Sequence, residues 1–491
     1  MAGKLDELVA ATVVLALWTV NAWAQQRPVP GTATTAPSPR AGRETGQSTT
    51  STQGPETEGT SPARPPITPL SGAEDFSPRS EGGARSYLVA AFQWTGYGDS
   101  NSGSVAGRSQ QGMMSTVLGN ITLQHVRRHS QLNLDYAGGG FFYRRRVEGD
   151  FNGDSLTNGM LHRASLFQAF TSARWKFLLG DNFLYLPESP FGFAGFGGLE
   201  SFGGGMGGPS FAAAPALNPM FAPNQTIVTG RGERYSNVVM TELQYQPGAR
   251  SALTATGAFG SLNFLDPAFI DSRYWALLVG YNFAATRRDV FAITYAHYLF
   301  ELDVGNQGIL NRGFLLAYGH QITGRLSLEL SAGAMANDIA KPLGGAVTRS
   351  FVTTYDSLHY SFRSGTVGIS FMRYMTGGAG LLAGAESRVA QFSAGRQLWR
   401  KGRVRLTVGH AYNQSLTRES EFVRRSRYET WHGGAMVSRE LGQHVSLYMN
   451  YSVQRQISDV PLCFGNNCGT VILRHVGGLG INWHSRPIRL P

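Results

Sequence analysis

Charge is scarce in this chain: Asp, Glu, Lys and Arg together make up only 15% of it. That share is low for a surface that meets water on every side. Cysteine is scarcer still, with Cys463 and Cys468 alone, in PLCFGNNCGT. A single C-x4-C brings no further ligands for a metal framework, so zinc or a redox pair is the lesser reading and a disulfide closing the short Gly/Asn loop is the expected one. Long apolar runs are also missing. Only Leu8–Val20, LVAATVVLALWTV, is continuously apolar, and it falls well short of the ~20 residues a spanning helix needs, which excludes a helical membrane protein.

That one run has a different use. Lys4 precedes it and Ala22-Trp23-Ala24 follows, the layout of a secretory signal peptide over residues 1–24 with cleavage after Ala24. From Gln25 to about Gly83 aromatic residues are nearly absent while Pro, Ser, Thr and Gly dominate, so residues 25–84 bury too little apolar surface to offset their ordering entropy and are expected to be a disordered leader. The same composition argues against a folded plug domain of the siderophore-receptor kind. The net charge of +11, from 43 basic and 32 acidic residues, would suggest nucleic acid in a cytoplasmic protein. Export removes that partner.

What the chain has in quantity is glycine, 62 residues, together with aromatics and alternation. In RRHSQLNLDYAGGGFFY, Leu132, Leu134 and Tyr136 fall on one face of a strand and Gln131, Asn133 and Asp135 on the other. The pattern recurs from Arg85 to the end, as in Trp275, Leu277, Val279, Tyr281 and Phe283, or in Val445, Leu447, Met449, Tyr451 and Val453 against His444, Ser446, Tyr448, Asn450 and Ser452. About 18 such strands are expected, an even number. Tight, often basic turns (RRHS, ARWK, QPGAR, ATRRD, TGR, RSG, LWRKGR, ELGQ) alternate with longer connections at 145–160, 187–232, 415–425 and 457–470. Short turns on one side and long loops on the other mark a transmembrane antiparallel up-and-down β-barrel over residues 85–491, with the apolar faces toward lipid and the polar faces toward a wet lumen. A periplasmic sandwich, propeller or β-helix is the lesser alternative, since no repeat motif accompanies the pattern.

LNLDYAGGGFFY, YLPESPFGFAGFGG, VGYNF, LLAYGHQITGR and the closing RHVGGLGINWHSRPIRL resemble a family of uncharacterised outer-membrane β-barrel proteins common in acidobacterial genomes. The resemblance implies a porin-like barrel in the bacterial outer membrane and carries over no functional residue. One departure is visible: barrels of this kind commonly end on an aromatic residue read by the insertion machinery, whereas here SRPIRLP continues past Trp483.

A barrel of this size holds an aqueous channel, so passive diffusion of small polar solutes is the expected function. An export pore for an extracellular polysaccharide and a non-conducting structural or adhesion barrel are the alternatives. The alternation nominates Asp135, Glu242, Glu329, Arg405 and Arg474 as lumen charges, which set selectivity through their field or simply satisfy a wet wall. The longest connection, Pro187–Gln225, is apolar enough to fold inward as a constriction, with Phe191, Phe193, Phe196 and Phe202 as its bulky members. In GDFNGDSLTNG, Asp150, Asn152 and Asp154 have the alternate spacing of calcium loops, but Ser155 and Leu161 stand where such a loop needs Gly and Glu, so an Asx-rich turn is preferred and no metal or other cofactor is expected. GFGGLESFGGG lacks the G-K-[ST] of a phosphate loop. His297, His320, His359 and His410 have no Ser or Asp tied to them by a local motif, so no enzyme is expected. The expected partners are outer-membrane lipids, the barrel-insertion machinery and small polar solutes.

Overall fold

A computed structural model describes residues 70–71, 86–100, 110–147, 154–188, 231–267, 269–303, 307–340, 346–377, 380–399, 401–416, 426–464 and 467–490. All of them lie in the unit Pro65–Pro491. The segments expected to be a signal peptide and, apart from Leu70 and Ser71, a leader lie outside the described residues.

The strands are β1 (Tyr87–Asp99), β2 (Gln110–Arg127), β3 (Ser130–Val147), β4 (Asp154–Thr171), β5 (Trp175–Glu188) and β6 (Arg231–Gly248). There follow β7 (Ser251–Phe264), β8 (Ser272–Ala284), β9 (Asp289–Leu302), β10 (Gln307–Thr323), β11 (Leu326–Ala340) and β12 (Ala346–Phe362). The rest are β13 (Gly365–Thr376), β14 (Ala385–Trp399), β15 (Gly402–Ser415), β16 (Arg427–Glu440), β17 (Val445–Phe464), β18 (Asn467–His484) and a two-residue β19 (Ile488–Arg489). Each strand pairs antiparallel with its sequence neighbours, and β1 closes on β18 from Ala91 opposite His484 to Asp99 opposite Val476. The expected barrel of 18 long strands is therefore present, and closure leaves no long edge exposed. The SRPIRLP extension has a structural place: Ile488 and Arg489 pair with Leu88 and Tyr87, carrying the seam past the end of β18.

Period-two side chains explain why these segments are strands. On β8, burial alternates without a break from Tyr274 to Ala284: Trp275, Leu277, Val279, Tyr281 and Phe283 are exposed, and Tyr274, Ala276, Leu278 and Asn282 are buried. The exposed apolar residues form the outer belt of the barrel, a surface stable only against hydrocarbon. Tryptophans mark both rims, with Trp175, Trp399 and Trp483 near the short-turn end and Trp275 and Trp431 nearer the other. The short turns are locally specified. Thr286 Oγ1 accepts from the backbone N–H of Arg288 and Asp289, and Thr323 Oγ1 does the same for Arg325 and Leu326, replacing ladder partners that a turn residue lacks.

Two expected loops are mostly strand. β3 runs to Val147 and β4 starts at Asp154, so the 145–160 connection shrinks to residues 148–153. β17 runs to Phe464 and β18 starts at Asn467, so 457–470 shrinks to residues 465–466. In both places the side-chain alternation fades while the backbone ladder continues, because beyond the membrane neither face has to be apolar. The second hairpin sets Cys463 opposite Cys468 in register; their side chains, and hence the expected disulfide, lie outside the described ones.

Candidate functional site

The inner wall is where this fold can meet a solute, and it is polar on one side. From β15 round through the seam to β4, most inward positions carry hydrogen-bonding groups. On β17 the run is unbroken: Tyr448, Asn450, Ser452, Gln454, Gln456 and Ser458 all face inward and all are buried. At ~3.4 Å per residue that stripe is ~34 Å long, which on a strand tilted by about 40° spans the ~25 Å apolar band of an outer-membrane barrel.

Charges on this wall are partnered. Arg474 of β18 directs Nε and Nη2 onto the Oδ2 of Asp99 on β1, at 2.9 and 2.6 Å, with both side chains nearly free of solvent. The pair sits across the seam. Asp135 of β3, fully buried, accepts from the Thr122 hydroxyl at 2.7 Å and from Asn120 Nδ2 at 3.4 Å, and the buried Arg163 of β4 acts on it by Coulomb attraction. Burying a carboxylate is tolerable only with such neighbours. Glu242 of β6 is buried facing inward, with the Thr256 hydroxyl 3.5 Å away, while Glu329 of β11 and Arg405 of β15 are half-buried on the inward-facing parity of their strands. The five nominated charges are thus buried or half-buried, and alternation leaves out Asp99 and Arg163, which face two of them.

Some polar atoms on the same arc have no hydrogen-bond partner among the described residues. Gln124 Nε2, Asn133 Nδ2, Asn450 Oδ1 and Ser452 Oγ are buried and make no hydrogen bond within the described structure. Buried polar groups in proteins are almost always bonded, so these atoms call for water or solute.

The opposite side differs from the wet wall expected of every strand. Val238, Met240, Ala258, Tyr274, Ala276, Leu278, Ala296, Tyr298, Phe300, Leu315 and Met335, inward-facing on β6 to β11, form one apolar cluster. Strands such as WALLVGYNF are apolar on both faces, and periodicity cannot then separate the lipid side from the lumen side.

The connection from β13 to β14 reaches inward over the mouth at the long-loop end. The Gly380 carbonyl accepts from Ile270 N at 2.9 Å on the β7–β8 side, while Leu382 packs with Tyr428 of β16 and Ile472 of β18 on the other side. Gly384 passes so close to Ile309 of β10 and Leu416, just past β15, that a Cβ would overlap them. Gly380 and Gly384 have φ of 82° and 78°, a conformation that L side chains rarely adopt. Sequence reasoning assigns the constriction to Pro187–Gln225, of which Phe191, Phe193, Phe196 and Phe202 lie outside the described residues. GGAGLLAG escapes that reasoning because it is short, although two leucines amid glycines in an external connection are a usable signal.

Among the described residues no group of three or more His, Cys, Asp or Glu side chains is arranged to hold a metal ion. The Asp150, Asn152 and Asp154 calcium candidates lie outside the described side chains. The strand histidines have carboxylate neighbours that no motif announces: His320 Nδ1 is 2.7 Å from Asp289 and His410 Nε2 is 3.1 Å from Glu429. Both lie on the outward parity of their strands, away from the polar arc.

No protein-family model matches the chain. No curated protein matches it either. Among solved structures it overlaps Pseudomonas aeruginosa OccK2 (OpdF) over 82% of this chain and 98% of that one, at 11% identity and a TM-score of 0.40. Pseudomonas aeruginosa OccK7 (OpdD) overlaps over 82% and 100%, at 10% identity and a TM-score of 0.41. Acinetobacter baumannii OccAB3 overlaps over 82% and 99%, at 8% identity and a TM-score of 0.39.

Proposed function

We propose that this protein is a channel of the bacterial outer membrane for passive diffusion of small polar solutes, delivered there by its signal peptide and the barrel-insertion machinery. The observation that carries the reading is the β17 stripe: six consecutive inward positions, Tyr448 to Ser458, bear hydrogen-bonding groups over a length that, on a tilted strand, matches the apolar thickness of the membrane. A barrel that served only as a platform has no need of such a stripe, because burying so many amides and hydroxyls carries a desolvation cost. Buried polar atoms with no hydrogen-bond partner among the described residues, such as Asn450 Oδ1 and Ser452 Oγ, are places on this wall where ordered water can bond.

In this reading Asp135, Glu242, Glu329, Arg405 and Arg474 bias which ions pass. The acidic and basic members offset each other, so weak selectivity between cations and anions is expected. Membership of the acidobacterial barrel family is part of the same proposal, supported by the motifs quoted above.

The test is single-channel recording of the refolded protein in a planar bilayer. Discrete, reproducible conductance steps are expected. Silence from protein that is heat-modifiable on gels and protected from protease in liposomes would overturn the channel.

A further inference from the structure

Leu70 and Ser71 come from far upstream of β1, yet they lie against the inner wall. Asn282 Oδ1 accepts both of their backbone N–H groups, at 2.8 Å from Leu70 and 3.0 Å from Ser71. Asn282 Nδ2 donates to Ser71 Oγ at 2.5 Å. The Thr254 hydroxyl donates to the Ser71 carbonyl, and its oxygen lies 2.7 Å from Ser71 Oγ. One amide and one hydroxyl thus engage two successive main-chain donors, a main-chain acceptor and a side-chain hydroxyl. All three side chains are buried: Asn282 at 0%, Thr254 at 2% and Ser71 at 3% exposure.

The wall is also shaped for this segment. Between Thr254 and Asn282 stands Gly280, where a Cβ would overlap the Ser71 side chain, and at Gly319 of β10 a Cβ would come within 3.1 Å of Leu70 Cδ2. Thr254 is the fourth residue of β7, and Gly280 and Asn282 fall within the last five of β8, so the notch lies near the short-turn end. A buried carboxamide that presents its oxygen to consecutive N–H groups and its nitrogen to a hydroxyl recognises main chain in the way a neighbouring strand does.

We propose that the Thr254–Gly280–Asn282 notch is a peptide-binding site within the barrel, and that its occupant is the chain's own Leu70–Ser71. The notch tethers the leader inside the lumen, where these two residues narrow the passage. The ligand class is an extended dipeptide whose second residue is small and bears a hydroxyl. Larger side chains in place of Ser71 collide with β8 across Gly280.

The test is cross-linking in the full-length folded protein. Ser71→Cys with Thr254→Cys places two thiols where hydroxyls now touch, and Thr256→Cys with Leu278→Cys, a directly opposed pair on the same two strands, serves as the control for folding and oxidation. Mass spectrometry of the digest should show a disulfide joining the leader peptide to the β7 peptide in folded protein and not in urea. Adding Asn282→Leu should cut the yield of this leader link at least fivefold while leaving the control link unchanged. A control that closes without any leader link, or a leader link indifferent to Asn282→Leu, would overturn the tether. The readout needs no current, so a leader link in protein that is silent in bilayers would support the notch while removing the channel.

Discussion

At the scale of single residues, the seam pair is the most consequential contact. Arg474 and Asp99 are separated by 375 positions in sequence, and each is a buried charge held against the other. Arg474→Ala takes away the cation that faces the Asp99 carboxylate and should cost about 3–5 kcal/mol, read from the urea midpoint of the barrel in lipid. The double variant Asp99→Asn, Arg474→Met should recover a large part of that loss, because it removes both charges together. A single variant as stable as the parent would show that water already screens the pair. Alternation nominates Arg474, Asp135 and Glu242 for the inner face, and all three are buried. It gives no hint of Asp99 or Arg163, because a partner in another strand is chosen by register across the barrel, which no local pattern encodes.

At the scale of elements, strands are legible in the sequence and connections are not. Every long strand appears where period-two alternation falls, since one face must meet lipid whatever else the strand does. Strand ends near 147, 154, 464 and 467 escape the pattern because that demand stops at the membrane surface. Which connection turns inward is a matter of three-dimensional fit: Leu382 and Gly384 lodge against Ile309, Leu416, Tyr428 and Ile472, residues spread over much of the chain. Replacing Leu381 and Leu382 by serine should loosen this connection and raise the single-channel conductance; unchanged steps would mean that it does not constrict the path. Gly384→Val forces a β-branched residue to φ near 78°, and should cost about 1–3 kcal/mol in the same urea assay. The Cys463–Cys468 hairpin offers a simpler check. Denatured, unreduced protein should present no thiol to a maleimide reagent, and reduction should expose two, since the two Cα positions are directly paired.

For the molecule as a whole, the two faces of the wall obey opposite rules. Leu277→Arg, on the outer face in the middle of β8, should cost about 2–4 kcal/mol of stability in lipid, and equal folding of variant and parent would mean that this face does not meet hydrocarbon. The inner face carries a large apolar cluster on β6 to β11 beside buried polar groups of the same strands, and that cluster escapes sequence reading because strands such as β8 are largely apolar on both sides. The seam bears on how such a wall comes into being. Ala90 bonds to Ser485 across 395 positions, and β19 reaches Tyr87 and Leu88 from further on still. The ring cannot shut during synthesis until β18 has emerged. Until then β1 and β18 are both raw edges with unpaired backbone groups. Loop-closure entropy makes this join the slow, late event of assembly, and a chain cut short before β18 would keep an adhesive edge permanently open. Such a fragment should be a target for envelope proteases, because it lacks the strand that pairs with β1 at the seam.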